Sequence, residues 1–101
     1  MGEILLKIHE SYRWVVAVCD KDIFSKKLKE DNKTLDCSGN FFKGEELSKE
    51  EAIEEIIRCN KEDATFNFVG EKSIEIGKQL GLIKEQGIIK IQGIPFALIL
   101  L

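Results

Sequence analysis

Six apolar residues stand in a row at Trp14-Val15-Val16-Ala17-Val18-Cys19. Side chains of a strand alternate between two faces, so a strand with one solvated face alternates apolar with polar residues. An unbroken, β-branched run of this length reads as a strand covered on both faces. The chain is thereby constrained to a layered fold with material on each side of a sheet. Ile4 to Ile8 supplies a neighbouring strand, joined to it through the polar stretch His9-Glu10-Ser11-Tyr12-Arg13. The two read as a hairpin whose second arm is central in the sheet.

The other constraint is the ending, Ile94-Pro95-Phe96-Ala97-Leu98-Ile99-Leu100-Leu101. Chain ends are usually frayed and solvated. An end this apolar is either buried as a strand, Phe96 to Leu101, or an exposed patch that takes a partner. Pro95 fits a strand start or a sheet edge, because it cannot donate to a ladder.

Between these strands the pattern changes period. Asp20 reads as the N-cap of a short helix, Lys21 to Lys29, with Ile23, Phe24 and Leu28 as its buried stripe, broken at Glu30-Asp31-Asn32. Lys33 to Cys37 is a weak strand with Leu35 and Cys37 on one side, and Ser38-Gly39-Asn40 a turn. Phe41 and Phe42 are adjacent, so an extended backbone points them in opposite directions. Ser48 and Glu51 form a capping box, with Leu47 and Ala52 as its hydrophobic staple, and open a helix that runs to about Arg58. Its apolar stripe is Ala52, Ile53, Ile56 and Ile57. Ala64 to Val69 is a short strand or an extended link, and Glu71 to Leu80 a further helix. Gly77 inside that helix costs about 1 kcal/mol relative to alanine, which implies close approach to a strand or helix. Gly81 suits the left-handed position after the helix. Gly87 to Gln92 is a strand with Ile88-Ile89-Lys90-Ile91 at its centre, and Gly93 turns the chain.

The order β-β-α-β-α-β-α-β-β predicts an α+β fold. The sheet is mixed or mainly antiparallel, with about five or six strands, and about three helices pack mostly on one face. At 101 residues the chain reads as a single compact domain spanning residues 1–101. Its apolar runs are far shorter than the ~20 residues a membrane span needs.

Composition narrows function mainly by exclusion. The net charge of −3 excludes a general electrostatic coat for nucleic acid. Cys19, Cys37 and Cys59 are widely spaced, with no C-x-x-C and a single histidine, His9, so no zinc ligand set is expected. Met1 to His9 has neither the basic region nor the small-residue cleavage site of a secretory signal. A cytoplasmic, reducing location is the expectation, with the cysteines as small core residues. No catalytic constellation, metal or cofactor is expected.

Three local features carry binding or chemistry. Arg13, Lys21, Lys26, Lys27, Lys29 and Lys33 lie near Tyr12 and Trp14 and could contact a nucleic-acid backbone, although Asp22, Glu30 and Asp31 interleave with them. Gly70 and Lys72 lie where a strand leads into a helix, a place for backbone N–H groups to hold an anion. Cys19, at a strand end and before the expected helix start, would have a lowered pKa there and could serve as a nucleophile. The acidic stretch from Glu45 to Glu55 reads as a solvated face or a dock for a basic partner.

Read together, the blocks Val15-Val16-Ala17-Val18-Cys19-Asp20, Phe42-Lys43-Gly44-Glu45, Asn67-Phe68-Val69-Gly70-Glu71 and Gly93-Ile94-Pro95-Phe96-Ala97 resemble an archaeal family of unknown function, the DUF424 group. The resemblance covers nearly the whole chain. It implies a compact cytoplasmic α+β domain and brings no activity with it. The leading expectation is a non-enzymatic binding module acting on RNA or a ribonucleoprotein partner. A protein-interaction or homodimer module using the apolar C-terminal strand is the second reading, and a small enzyme using Cys19 the third.

Overall fold

The computed structural model describes residues 2–100. In chain order its elements are β1 (Ile4–His9), β2 (Val15–Asp20), β3 (Lys27–Glu30), β4 (Lys33–Asp36) and β5 (Glu45–Leu47). There follow α1 (Lys49–Lys61), β6 (Thr65–Val69), α2 (Glu71–Gln79), a 3₁₀ turn (Glu85–Gly87), β7 (Ile89–Ile91) and β8 (Ile94–Ile99). Six strands form one mixed sheet in the order β5-β1-β2-β6-β8-β7. Among the described residues only β2 and β6 pair in parallel; the other pairs are antiparallel. The expected α+β class and the six-stranded mixed sheet are therefore observed.

The apolar run lies where its composition requires. The β2 strand sits between β1 and β6, with Val16 and Val18 toward one face and Ala17 and Cys19 toward the other, all four buried. Val16 and Val18 join Phe66, Phe68, Ile4 and Leu6 beneath the helices, which contribute Ala52, Ile56, Cys59, Ile74 and Ile76. Phe66 and Phe68 are wholly buried and stack at 5.5 Å. Each contributes about 2–3 kcal/mol by removal from water. On the opposite face Ala17, Cys19, Val69 and Ile91 meet Ile23, Leu28, Leu35, Cys37 and Phe42. A two-stranded hairpin, β3–β4, makes that second cover.

The hairpin replaces the helix expected at Lys21 to Lys29, so the described residues hold two α-helices instead of about three. The chain makes tight turns after β2, with Ile23 N–H donating to the Asp20 carbonyl and Lys26 N–H to the Ile23 carbonyl. Ser25 then adopts φ 75°, a left-handed conformation that ends helical propagation. The following strand pairs with β4 and sets Leu28 opposite Leu35, both buried. Glu30-Asp31-Asn32 is the hairpin bend, with Asp31 at φ 54°. Helical spacing at Ile23, Phe24 and Leu28 is equally served by a turn followed by an alternating strand.

Elsewhere local signals hold. The Ser48–Glu51 capping box is present in both directions, and α1 runs one turn beyond Arg58, to Lys61. Phe42 is buried while Phe41 is 40% exposed, so the adjacent pair splits as expected, although the segment is a bend and not extended. Gly77 admits the Ile83 side chain, whose Cδ1 would lie 2.3 Å from an added Cβ. The close neighbour is thus the irregular chain folding back after α2, and not the strand or helix expected there. At the C-terminal end β8 inserts between β6 and β7. Ala97 is buried, whereas Leu98 and Leu100 are exposed, so the strand is both core and surface. Leu101 lies outside the described residues.

Candidate functional site

The parallel strands β2 and β6 end side by side, with Cys19 opposite Val69. In sheets of this kind the crevice beyond the carboxyl ends of parallel strands is where ligands commonly bind. Here the last residue of β2 fills it. Asp20 is buried and its carboxylate reaches the first turn of α2. Oδ2 accepts from Lys72 N–H at 3.0 Å, and Oδ1 accepts from Ser73 N–H at 2.8 Å and from Ser73 Oγ at 2.7 Å. Asp20 is therefore an N-cap, but for a helix 52 residues onward. Gly70, the residue at the α2 N-cap position, has no side chain with which to cap.

Gly70 is required for this approach. Its φ is 103°, and an added Cβ would lie 2.3 Å from Asp20 Cγ. Gly70 N–H donates to the Pro95 carbonyl at 2.9 Å, tying the same junction to β8. Of the backbone donors that would hold an outside anion there, Gly70 N–H is thus taken by the Pro95 carbonyl and Lys72 N–H by the Asp20 carboxylate. The Lys72 ammonium faces Glu3 at 3.3 Å.

The six basic positions separate into three groups. Lys26, Lys27, Lys29 and Lys33 are exposed on and beside the β3–β4 hairpin. Leu28 points inward, so Lys27 and Lys29 point away from the sheet. Among the described residues none of these four lysines is in an ion pair. Cross-strand register places Asp36 opposite Lys27 and Glu30 opposite Lys33. Asp36 is held below the usual carboxylate range chiefly by the Ser38 hydroxyl and then by the Ser38 amide. The hairpin is anchored by Gln92, whose N–H donates to the Glu30 carboxylate and whose amide donates to the Lys29 carbonyl, at 2.7 and 2.8 Å.

Lys21 is apart from this group, paired with Glu46 at 2.6 Å. Arg13 is at the opposite end of β2, beside a fully exposed Tyr12. The nearby Trp14 is partly buried beneath the Arg58 guanidinium, 5.9 Å from its ring centroid. The structure thus joins four of the six basic residues and leaves out Arg13 and Lys21.

Neither His9 nor Cys19 has the surroundings of an activated group. His9 stacks on Phe41 at 4.6 Å, and its Nε2–H donates to the Phe41 carbonyl at 2.9 Å. Cys19 is fully buried, and the helix expected to lower its pKa is not there. Its pKa is instead pushed up, first by the hydrogen bond to Cys37 and then by burial. Sequence reasoning missed both this thiol pair and the long-range cap. The available signal for the cap was a glycine at the N-cap of α2 together with an acid ending a central strand.

Fold and surface define a small α+β protein: a six-stranded mixed sheet with two helices on one face, a hairpin on the other, and an internally capped strand-to-helix junction. The profile of the DUF424 family, "Protein of unknown function (DUF424)", matches residues 8–101, and the chain belongs to that family. It is also similar to a solved structure described as an uncharacterized conserved protein from Methanopyrus kandleri. That similarity has a TM-score of 0.84 and 27% identity, and covers 95% of this chain and 89% of the other. No curated protein matches the chain. Among the described residues no helix is long and apolar enough to cross a membrane.

Proposed function

We propose that the chain is a cytoplasmic, non-enzymatic binding module that contacts RNA or a ribonucleoprotein partner through the outer face of the β3–β4 hairpin. The observation that carries this reading is the pair Lys27 and Lys29 on that outer face, with Lys26 and Lys33 exposed at the ends of the hairpin, all four free of ion pairs among the described residues, on one small element that stands over the sheet. A local basic element can bind phosphate on a protein whose net charge is −3, because fields from distant charges are screened within about 8–10 Å at ordinary salt. Binding of this kind weakens with salt through counterion release.

The test is fluorescence anisotropy with a labelled single-stranded RNA over a salt series. Lys27→Glu with Lys29→Glu is expected to weaken binding by at least about tenfold at low salt and to flatten the log–log salt slope by roughly 0.7 per lost phosphate contact. Arg13→Ala, at the other end of β2, is expected to change little. Equal binding by the Lys27/Lys29 variant would overturn the reading.

A second reading has its own observation. The β7 strand pairs β8 only as far as Phe96, so Ala97 to Ile99 lack a strand neighbour on that side, and Ile89, Leu98 and Leu100 are exposed nearby. An open apolar edge of this kind accepts another strand. A second copy could pair there about a two-fold axis. Sedimentation velocity is expected to find a dimer that Leu98→Asp converts to monomer. A wild-type protein that is monomeric at every concentration would remove this reading.

A further inference from the structure

Cys19 and Cys37 are remote in sequence and meet in the core beneath the hairpin. Both are fully buried and share one cluster with Leu28, Leu35, Phe42 and Val69. The Cys19 thiol donates to the Asp20 carbonyl at 3.3 Å, and its side chain packs in the same buried cluster as that of Cys37. The backbone fixes Cys37 in place. Its N–H donates to the Lys26 carbonyl at 2.8 Å, and its carbonyl accepts from Ser25 N–H at 2.9 Å. Cys59 is on α1 in the opposite core, away from both. We propose that Cys19 and Cys37 are a reversible dithiol–disulfide pair, whose oxidation by a peroxide staples the β3–β4 hairpin to the central strand β2.

The cover over the pair is a hairpin of two four-residue strands. A two-stranded hairpin is marginal alone, so it opens locally at lower free energy than the six-stranded sheet. Opening admits a small oxidant that the closed core excludes. The two sulfurs have unequal acidity. The Cys19 hydrogen bond lowers the pKa of Cys37, whereas the same bond, burial and nearby negative charge raise that of Cys19. Cys37 is therefore the sulfur that ionises first and attacks.

The steps balance with hydrogen peroxide as the oxidant. The Cys37 thiolate attacks one peroxide oxygen, the O–O bond breaks, and hydroxide leaves, giving a sulfenic acid at Cys37. That hydroxide takes the Cys19 proton and becomes water. The Cys19 thiolate attacks the Cys37 sulfur, the S–S bond forms, the S–O bond breaks, and a second hydroxide leaves. With the proton Cys37 gave up at the start, the products are one disulfide and two waters. A small dithiol returns the pair to the reduced form by exchange.

The experiment treats the folded full chain with hydrogen peroxide, alkylates remaining thiols under denaturing conditions, and maps peptides by mass spectrometry. The expected result is loss of two of the three free thiols, a Cys19–Cys37 linked peptide lighter by two hydrogens, alkylated Cys59, and full recovery with dithiothreitol. Cys59→Ser is expected to form the same link, and Cys37→Ser to form none. The Cys59→Ser protein keeps the test valid should Cys37→Ser not fold. Three alkylatable thiols after treatment, a link through Cys59, or over-oxidation at Cys19 or Cys37 without a link would each overturn the proposal.

Discussion

Asp20→Ala is expected to lower folding stability by about 4 kcal/mol, a large part of the 5–15 kcal/mol available to a domain of this size. The carboxylate accepts three hydrogen bonds from the first turn of α2. Bonds to a charged acceptor contribute about 1.5–3 kcal/mol each, and a buried donor left without a partner costs about 1–3 kcal/mol. Ser73 is wholly buried, so its N–H and hydroxyl would both be stranded. Lys72 N–H lies nearer the surface and can recover a water, which keeps the total below a simple sum. Asp20→Asn retains a side-chain oxygen for one or two of the bonds and is expected to cost about half as much. Ser73→Ala removes only one donor and is expected to cost about 1 kcal/mol. Urea unfolding of the three variants gives the order directly. An Asp20→Ala protein within 1 kcal/mol of wild type would mean that the helix terminus finds other partners, contrary to the geometry.

This residue also marks where sequence reading stops. Trp14 to Cys19 is legible as a doubly covered strand, because no other simple environment suits six apolar residues in a row. The capping box at Ser48 and Glu51 is legible because both partners lie within four residues. The hairpin at Lys27 to Asp36 was obscured. Ile23, Phe24 and Leu28 keep helical spacing, and the left-handed residue that defeats the helix is Ser25, which has no sequence mark of that conformation. Asp20 reads as the N-cap of a helix at Lys21 to Lys29, which does not form; its carboxylate instead takes the first-turn donors of α2. An acid next to a potential helix start looks the same whether it caps locally or across the sheet; only the parallel pairing of β2 with β6 brings it to α2. The basic cluster was legible in part for a related reason. Residues near one another on β3 and β4 remain neighbours, but β2 carries Arg13 and Lys21 to opposite ends. The Cys19–Cys37 pair depends on the same unseen hairpin, since β4 delivers Cys37 to the back of β2.

Gly70→Ala is the companion test, and it asks whether the capped junction behaves as one unit. With φ 103° and ψ 157°, Gly70 occupies a region that is nearly exclusive to glycine. A side chain in such a region costs about 1–3 kcal/mol before any contact is considered. The added Cβ would also lie 2.3 Å from Cγ and 2.5 Å from Oδ2 of Asp20. Those atoms are held by three hydrogen bonds and cannot yield without losing them. The expected total is about 4 kcal/mol or more. Gly77→Ala supplies the contrast. Its Cβ meets the flexible end of Ile83 at 2.3 Å, and the residue is inside a helix. Overpacking of about 1–3 kcal/mol is offset there by about 1 kcal/mol of helix propensity, so a small net loss is expected. The decisive measurement is the Asp20→Ala/Gly70→Ala double variant. Truncating Asp20 removes the two nearest atoms that the new Cβ strikes, Cγ and Oδ2, and leaves the Asp20 Cβ at 2.7 Å, so the clash is relieved in part and the second substitution should cost at least about 1 kcal/mol less in that background than alone. Strict additivity would mean that the two residues act separately, with Gly70 needed only for its backbone. A positive coupling identifies close approach of the carboxylate as the reason that a glycine precedes α2.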